Sequence, residues 1–280
     1  NEIIIQGSRG GPYGGGGFAT GSLTMTDSET SNNGADGVYC TSSGASYTDI
    51  TATGNGSYGI YSGGSASFTN VTANSNGANG LYDEDGTSTF DNCTANSNTG
   101  DGIYTAGDGT FSGCTANNNA SGRGIWCEGA GSFTTCETNN NFSDGIYASD
   151  GSDFTGCDAG GNGGDGLYAG GNSTFSGCTA TGNGDGGMLA TGTGDFSVCV
   201  STNNETGYGL YCGSAGTFFG CTSGSNGSMG ISAGSGTSTV DGCDVTNNSG
   251  AGVSIGGSGT FNSLSITGNG GTGISAGSGS

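Results

Sequence analysis

The sequence has no histidine and no lysine, and in 280 residues it has only two arginines, Arg9 and Arg123, and one proline. Without histidine, a general base working near neutral pH would have to be a perturbed carboxylate. With two basic residues against 23 acidic ones, a formal charge of −21, the chain has no basic patch to offer nucleic acid or an anionic membrane surface. No apolar run approaches the ~20 residues of a membrane-spanning helix, so membrane insertion is not expected. The hydrophobic class is only 30% of the chain, while glycine supplies 67 of the 280 residues, far above its average usage of roughly 7%. No apolar stripe of 3.6-residue period is sustained. Each of the 67 glycines would cost a helix roughly 0.5–1 kcal/mol relative to alanine, so helix is not expected either.

What remains is regular. A Gly-aliphatic pair returns at Val38, Ile60, Leu81, Ile103, Ile125, Ile146, Leu167, Met188, Leu210, Ile231, Val253 and Ile274, at intervals of 21 or 22 residues. Eight or nine residues later comes a mainly aromatic column that starts Tyr47, Phe68, Phe90, Phe111. Three residues beyond it lies a column of cysteines: Cys93, Cys114, Cys136, Cys157, Cys178, Cys199, Cys221 and Cys243. Five further on stands asparagine in every copy: Asn55, Asn76, Asn98, Asn119, Asn141, Asn162, Asn183, Asn204, Asn226, Asn248 and Asn269. A fixed period of about 20–50 residues signals a repeat architecture. Three short apolar clusters separated by Gly, Ser, Asn and Asp predict three short strands and three turns per coil. One coil buries little, but stacking makes a continuous core from a few residues per coil.

The repeating G-[IVL]…F…[CIV]-x-[AST]…N unit resembles the right-handed parallel β-helix, or pectin-lyase-like, superfamily over residues from about 35 to 280. The resemblance implies an all-β β-solenoid of about 12 coils of 21–22 residues, with three short strands per coil. Residues 1–34 then read as an N-terminal strand, a Gly-rich lead-in and a first partial coil. The superfamily includes lyases, hydrolases, adhesins and surface-layer proteins, so the resemblance speaks to architecture rather than activity.

Each column has a bland and a sharper reading. The asparagines are expected to form a structural ladder, tolerating the left-handed conformation at a turn and bonding amide to amide between coils. The cysteines read either as core packing or as disulfide staples between coils. Cys40, Cys127 and Cys212, two residues after an inward aliphatic, are expected to face inward too. The residue after each aliphatic is expected to point outward, which exposes a stripe of Tyr39, Tyr61, Tyr82, Tyr104, Trp126, Tyr147, Tyr168 and Tyr211. That stripe is either a stacking ladder or a lateral or sugar contact surface. The acids are placed on turns and outer faces, with Asp83, Glu84 and Asp85 as a short run. No cofactor is expected. Calcium at Asp144 and Asp165, one coil apart, is the minor alternative to solvated acids. Among the N-glycosylation sequons, Asn70, Asn92 and Asn172 lie outside the asparagine ladder.

An enzyme is not expected, because Arg9 lies in the lead-in, Arg123 has no evident acid partner, and no irregular insertion builds a cleft. Eleven cysteines and a start at Asn1 without methionine suit a secreted, processed protein at the cell surface. The chain ends suggest copies of itself as partner. Ile3, Ile4 and Ile5 could supply the aromatic-column strand, and Leu23 and Met25 the third strand, to the coil that begins at Ile274 of another chain. A heterologous contact of that kind generates an open filament. The expected function is a secreted structural protein assembling head to tail into a filament, sheath or surface layer. The alternative is a monomeric module that binds ice or polysaccharide.

Overall fold

The computed structural model describes residues 3–6, 17–21 and 23–277. It is an all-β parallel solenoid with three sheets; each coil gives a strand to the first two, and strands of the third begin at Glu137–Asn139. The chain divides into two compact units, Asn1–Ser143 and Asp144–Ser280.

In the first unit, the first sheet takes Gly17–Ala19, Val38–Cys40, Ile60–Ser62, Leu81–Asp83, Ile103–Thr105 and Ile125–Cys127, each parallel to the next. The second sheet takes Ile3–Gln6, Thr24–Ser31, Ala45–Thr53, Ala66–Thr69, Ser88–Asp91, Gly109–Ser112 and Gly131–Thr134. The third sheet is thin in this unit. From Thr51 to Glu137 it is a row of single parallel bridges, Thr51–Thr72–Thr94–Thr115–Glu137. In the second unit all three sheets are regular, and the third runs from Asp158–Gly160 to Ser265–Thr267.

The coil-to-coil register is in phase at every column. Ile103 pairs with Ile125 and Phe111 with Phe133, so like side chains stack on like. In the first unit the aromatic column is a stack of parallel rings inside the coil, with centroids 4.8 Å apart for Phe68–Phe90 and 4.9 Å for Phe90–Phe111. Those distances equal the ~4.8 Å separation of neighbouring strands, so each ring face is covered without adjustment. Phe154, Phe175, Phe196 and Phe218 repeat the stack in the second unit.

The asparagine ladder closes each coil. Asn76 is buried, and both its backbone N and its Nδ2 donate to Asn98 Oδ1, at 3.0 and 3.1 Å. Its second amide hydrogen goes to Ala52 O at 3.0 Å, so every polar atom is satisfied. The ladder begins one coil earlier than the eleven asparagines named above, because Asn33 Nδ2 donates to Asn55 Oδ1 at 2.9 Å. The left-handed residue at this corner is not the ladder asparagine but the residue before it: Ser75 with φ 58°, Ser97 with φ 58°, Asn118 with φ 58°. The preceding position takes the turn's strain and leaves the asparagine free to turn its amide inward. Glycine before the aliphatic column follows from the same packing. A Cβ on Gly59 would lie 2.7 Å from Asn76 Nδ2 and 2.5 Å from Gly80 O.

The N-terminal register differs from the expected one. Ile3–Gln6 runs parallel to Ser28–Ser31 of its own chain, which places Ile3 in the row of Ile50 rather than in the aromatic column. Met25 pairs with Tyr47, so Leu23 and Met25 belong to the second-strand path and not to a third strand. The reason is Asp27, whose φ of 45° bends Thr24–Ser31 so that one long strand serves two faces. At the other end, Ile274–Ala276 pairs with Val253–Ile255, and Ile274 is 42% exposed.

Candidate functional site

All eleven cysteines are buried free thiols. Cys93, Cys114, Cys199, Cys221 and Cys243 turn their Sγ to backbone carbonyls of the previous coil, as Cys93 does to Phe68 O at 3.5 Å and Cys199 to Phe175 O at 3.3 Å. They pack the core and offer nothing to solvent. Burial pushes the Cys212 thiol up to about 12, with the Gly194 amide opposing and the Asp195 charge adding to the rise.

One acid lies where none was expected. Asp83 is fully buried, at the inward position that Cys40, Ser62, Thr105 and Cys127 occupy in neighbouring coils. Its Oδ2 accepts Ser88 Oγ at 2.8 Å and Thr105 Oγ1 at 3.0 Å, while Oδ1 has no hydrogen-bond partner. The Tyr47 hydroxyl is likewise buried and unpaired. Burial raises the Asp83 carboxyl to about 6, against the two hydroxyl bonds that lower it and the Asp85 charge that raises it. The alternation that turns Cys40 inward applies equally to Asp83, and it was the available signal.

The other acids of this face serve as backbone acceptors. Two residues before the aliphatic column, Asp36 Oδ1 accepts Tyr58 N at 3.0 Å and Asp101 Oδ1 accepts Arg123 N at 2.7 Å. Arg123 therefore has an acid neighbour, and its guanidinium lies 4.4 Å from the centre of the Trp126 ring. In the second unit, Asp144 Oδ1 accepts Asp165 N at 2.9 Å and Asp165 Oδ1 accepts Gly186 N at 2.7 Å. These amide bonds offset the stacking of like charges. Burial, then the charges of Asp144 and Asp185, raise Asp165 to about 6 against the Gly186 amide. Among the described residues, no group of three or more His, Cys, Asp or Glu is placed to hold a metal. Asn70, Asn92 and Asn172 are exposed at corners, and the first two have left-handed φ of 53° and 51°.

The outward column of the first sheet is an extended surface feature. In the first unit its rings stack face to face: Tyr39–Tyr61 at 4.4 Å, Tyr61–Tyr82 at 5.4 Å and Tyr82–Tyr104 at 4.7 Å, ending edge-on at Trp126, 5.0 Å from Tyr104. The faces cover one another, which leaves Tyr61 and Tyr104 only 9% and 8% exposed. What reaches solvent is a ribbon of ring edges and hydroxyls. The Tyr61 hydroxyl donates to Glu84. Burial, followed by the Glu128 carboxylate, raises Tyr104 far above the ordinary phenol range.

In the second unit the column starts with Tyr147 stacked on Tyr168 at 4.5 Å and is then interrupted. Leu189 stands in register between Tyr168 and Tyr211. In the same coil Gly186 occupies the position that carries Asp165 one coil earlier and Tyr208 one coil later. That coil thus has no side chain at position 186 and no ring at position 189, and a notch of about 220 Å³ opens there. Its walls include Asp165, Asp185, Leu189, Tyr208 and Tyr211.

The family model described as right handed beta helix region matches residues 4–132, 59–198 and 123–280, and the chain belongs to that family. Among solved structures it is similar to the crystal structure of Dettilon tailspike protein, at 17% identity and a TM-score of 0.54, covering 94% of this chain and 61% of that one. It is also similar to pectate lyase Pel9A, at 15% identity and a TM-score of 0.35, covering 89% of this chain and 66% of that one. The likeness to the tailspike protein is one of fold. No curated protein matches the sequence. No helix among the described residues is long and apolar enough to cross a membrane.

Proposed function

We propose that the protein is an extracellular solenoid whose ladder-built body displays the aromatic column of the first sheet as a contact face for polysaccharide. The observation that carries this reading is the column itself. The core needs no ring at the outward position, and Ser232, Ser254 and Ser275 occupy it in the last coils. A continuous amphipathic ribbon of ring edges and hydroxyls on a soluble, strongly acidic body marks an interaction surface. Its charge restricts the partner, because uronate-rich or sulfated chains meet repulsion while neutral ones do not. The test is retention on insoluble neutral polysaccharides, comparing the whole chain with a Tyr61→Ala, Tyr82→Ala, Tyr104→Ala variant. Retention that falls at least tenfold in the variant supports the reading, and equal retention of both, or none of either, overturns it.

Axial assembly is the second reading. Among the described residues, the strands Gly259–Asn262, Ser265–Thr267 and Ile274–Ala276 have a neighbour on one side only, with Ile274 at 42% exposure. Such an edge accepts a further coil from another copy. Ile3–Gln6 already pairs within its own chain, so the contact would be edge to edge rather than by a donated strand. Electron microscopy across a concentration series would show filaments that Ile274→Lys abolishes. Single molecules at every concentration would remove this reading.

A further inference from the structure

The notch at Gly186 and Leu189 breaks the outer surface of the second unit between Tyr168 and Tyr211. Its volume of about 220 Å³ lies below the roughly 300–1,000 Å³ of pockets that take drug-sized ligands, so it suits a single compact group. One wall is aromatic: Tyr208 and Tyr211 stack on each other at 4.9 Å, and with no ring at position 189 no further ring follows Tyr211 on the Leu189 side. Another wall is anionic, made by Asp165 and Asp185, while Leu189 lines the notch with methyl groups.

The charge of these walls has no cationic counterpart within residues 144–280. Residues 144–280 hold ten acidic residues and no Lys, Arg or His. Asp165 Oδ1 takes the Gly186 amide and Asp185 Oδ1 takes the Thr206 hydroxyl at 3.0 Å, both of them neutral donors. A notch combining a π face, carboxylates and a methyl-rich wall, with no internal cation, is complementary to a compact organic cation that is weakly hydrated and carries apolar groups around its charge. Ring quadrupoles attract such a cation when it lies over a ring face. The carboxylates add Coulomb attraction, and the field of the whole acidic body raises the local cation concentration.

We propose that this notch is a binding site for an alkylammonium head group of the choline type, with Tyr208 and Tyr211 as the cation–π wall and Asp165 and Asp185 as counter-charges. The site does not depend on polysaccharide binding by the first unit's aromatic face, and either can fail without the other. The ammonium can come from a quaternary amine or from the free amine of an amino sugar, and the two sources differ in how much apolar surface they bring to Leu189 and the rings.

The test is titration calorimetry of the whole chain with choline, tetramethylammonium, glucosamine and 3,3-dimethylbutan-1-ol, the neutral isostere of choline. The site predicts choline and tetramethylammonium bound at least tenfold more tightly than the neutral isostere, and glucosamine more weakly than choline. Leu189→Tyr restores the ring that most other coils carry and fills the notch. It is expected to abolish choline binding while leaving the unfolding temperature unchanged or higher. Asp185→Asn, which keeps an acceptor for Thr206, is expected to weaken choline by about tenfold. Isostere and choline binding equally would overturn the assignment, as would choline binding that survives Leu189→Tyr or no binding of either quaternary amine. Glucosamine binding more tightly than choline would overturn the choline-type assignment in favour of an amino sugar.

Discussion

Thr105 Oγ1 donates to Asp83 Oδ2 at 3.0 Å inside the solenoid, one coil away and wholly out of solvent. That carboxyl sits on a row of uncharged side chains, with one oxygen unpaired and no cation beside it.

The first prediction is a stability that falls as pH rises. Asp83 has a folded-state value of about 6 against an ordinary 3.8, so the native state holds the proton more tightly than the unfolded state. The native advantage is full below pH 3.8, is lost progressively as pH rises to 6, and stays lost above it. At about 1.36 kcal/mol per pKa unit, a rise from 3.8 to about 6 makes the loss from Asp83 about 3 kcal/mol. Asp165 shifts in the same direction. Chemical denaturation between pH 3.5 and 8 should therefore show a declining stability that Asp83→Asn partly flattens. A profile unchanged by that substitution would show that Asp83 ionises without penalty.

The two asparagine rows of the first unit should differ sharply in cost. Asn98→Ala removes a buried amide that accepts from Asn76 N and Nδ2 and donates to Ala73 O and Asn119 Oδ1. At roughly 1–3 kcal/mol for each buried group left unpaired, the loss is about 3–5 kcal/mol. Asn74, on the outer row, accepts only the Asn96 amide and is half-buried. Asn74→Ala should cost less than about 1 kcal/mol. Equal costs in thermal unfolding would mean that the inner ladder is not what closes the coils.

Val198 is a β-branched residue at φ 53°, at a corner where the coils on either side place Gly177 and Gly220. The left-handed region costs a residue with a Cβ about 1–2 kcal/mol, and Val198 is 61% exposed, so little packing offsets it. Val198→Gly should stabilise the protein by about 1 kcal/mol, net of glycine's entropy. A lowered unfolding temperature would instead show that Val198 earns its place through contact with its exposed neighbour Phe219.

The cysteines give a chemical test. With all eleven buried, the sulfurs are inaccessible to reagent in the folded protein. Ellman's reagent should react slowly with the native protein and reach eleven thiols only in denaturant. Fewer than eleven in denaturant without reductant would establish disulfides.

The period was legible because each column repeats one residue type at one position, and stacking demands that repetition. The aromatic column and its outward direction followed from strand alternation alone. The same alternation placed Asp83 inside, yet its charge and its neighbours Glu84 and Asp85 made an outer turn the natural reading. Leu23 and Met25 matched the spacing of Leu264 and Ile266, and only the left-handed Asp27 reveals that they follow another path. The notch was hidden for a different reason. Gly186 and Leu189 are unremarkable in sequence, and it takes the stack to turn two small substitutions in one coil into a recess.

The left-handed corners on either side of the third strand have a consequence for how this chain can change. From each aromatic-column residue to its ladder asparagine the distance is always eight residues, as in Phe68–Asn76, Phe90–Asn98 and Phe218–Asn226. The coils of 22 residues take their extra residue elsewhere, between Leu81 and Phe90 or between Asn204 and Leu210, on the two turns that flank the first sheet. Length variation is thus confined to the borders of the aromatic face, where the Asn204–Leu210 turn carries Tyr208 into the notch. New loops can be grafted there without disturbing a single rung, so the face proposed here for contact is also the one free to diversify.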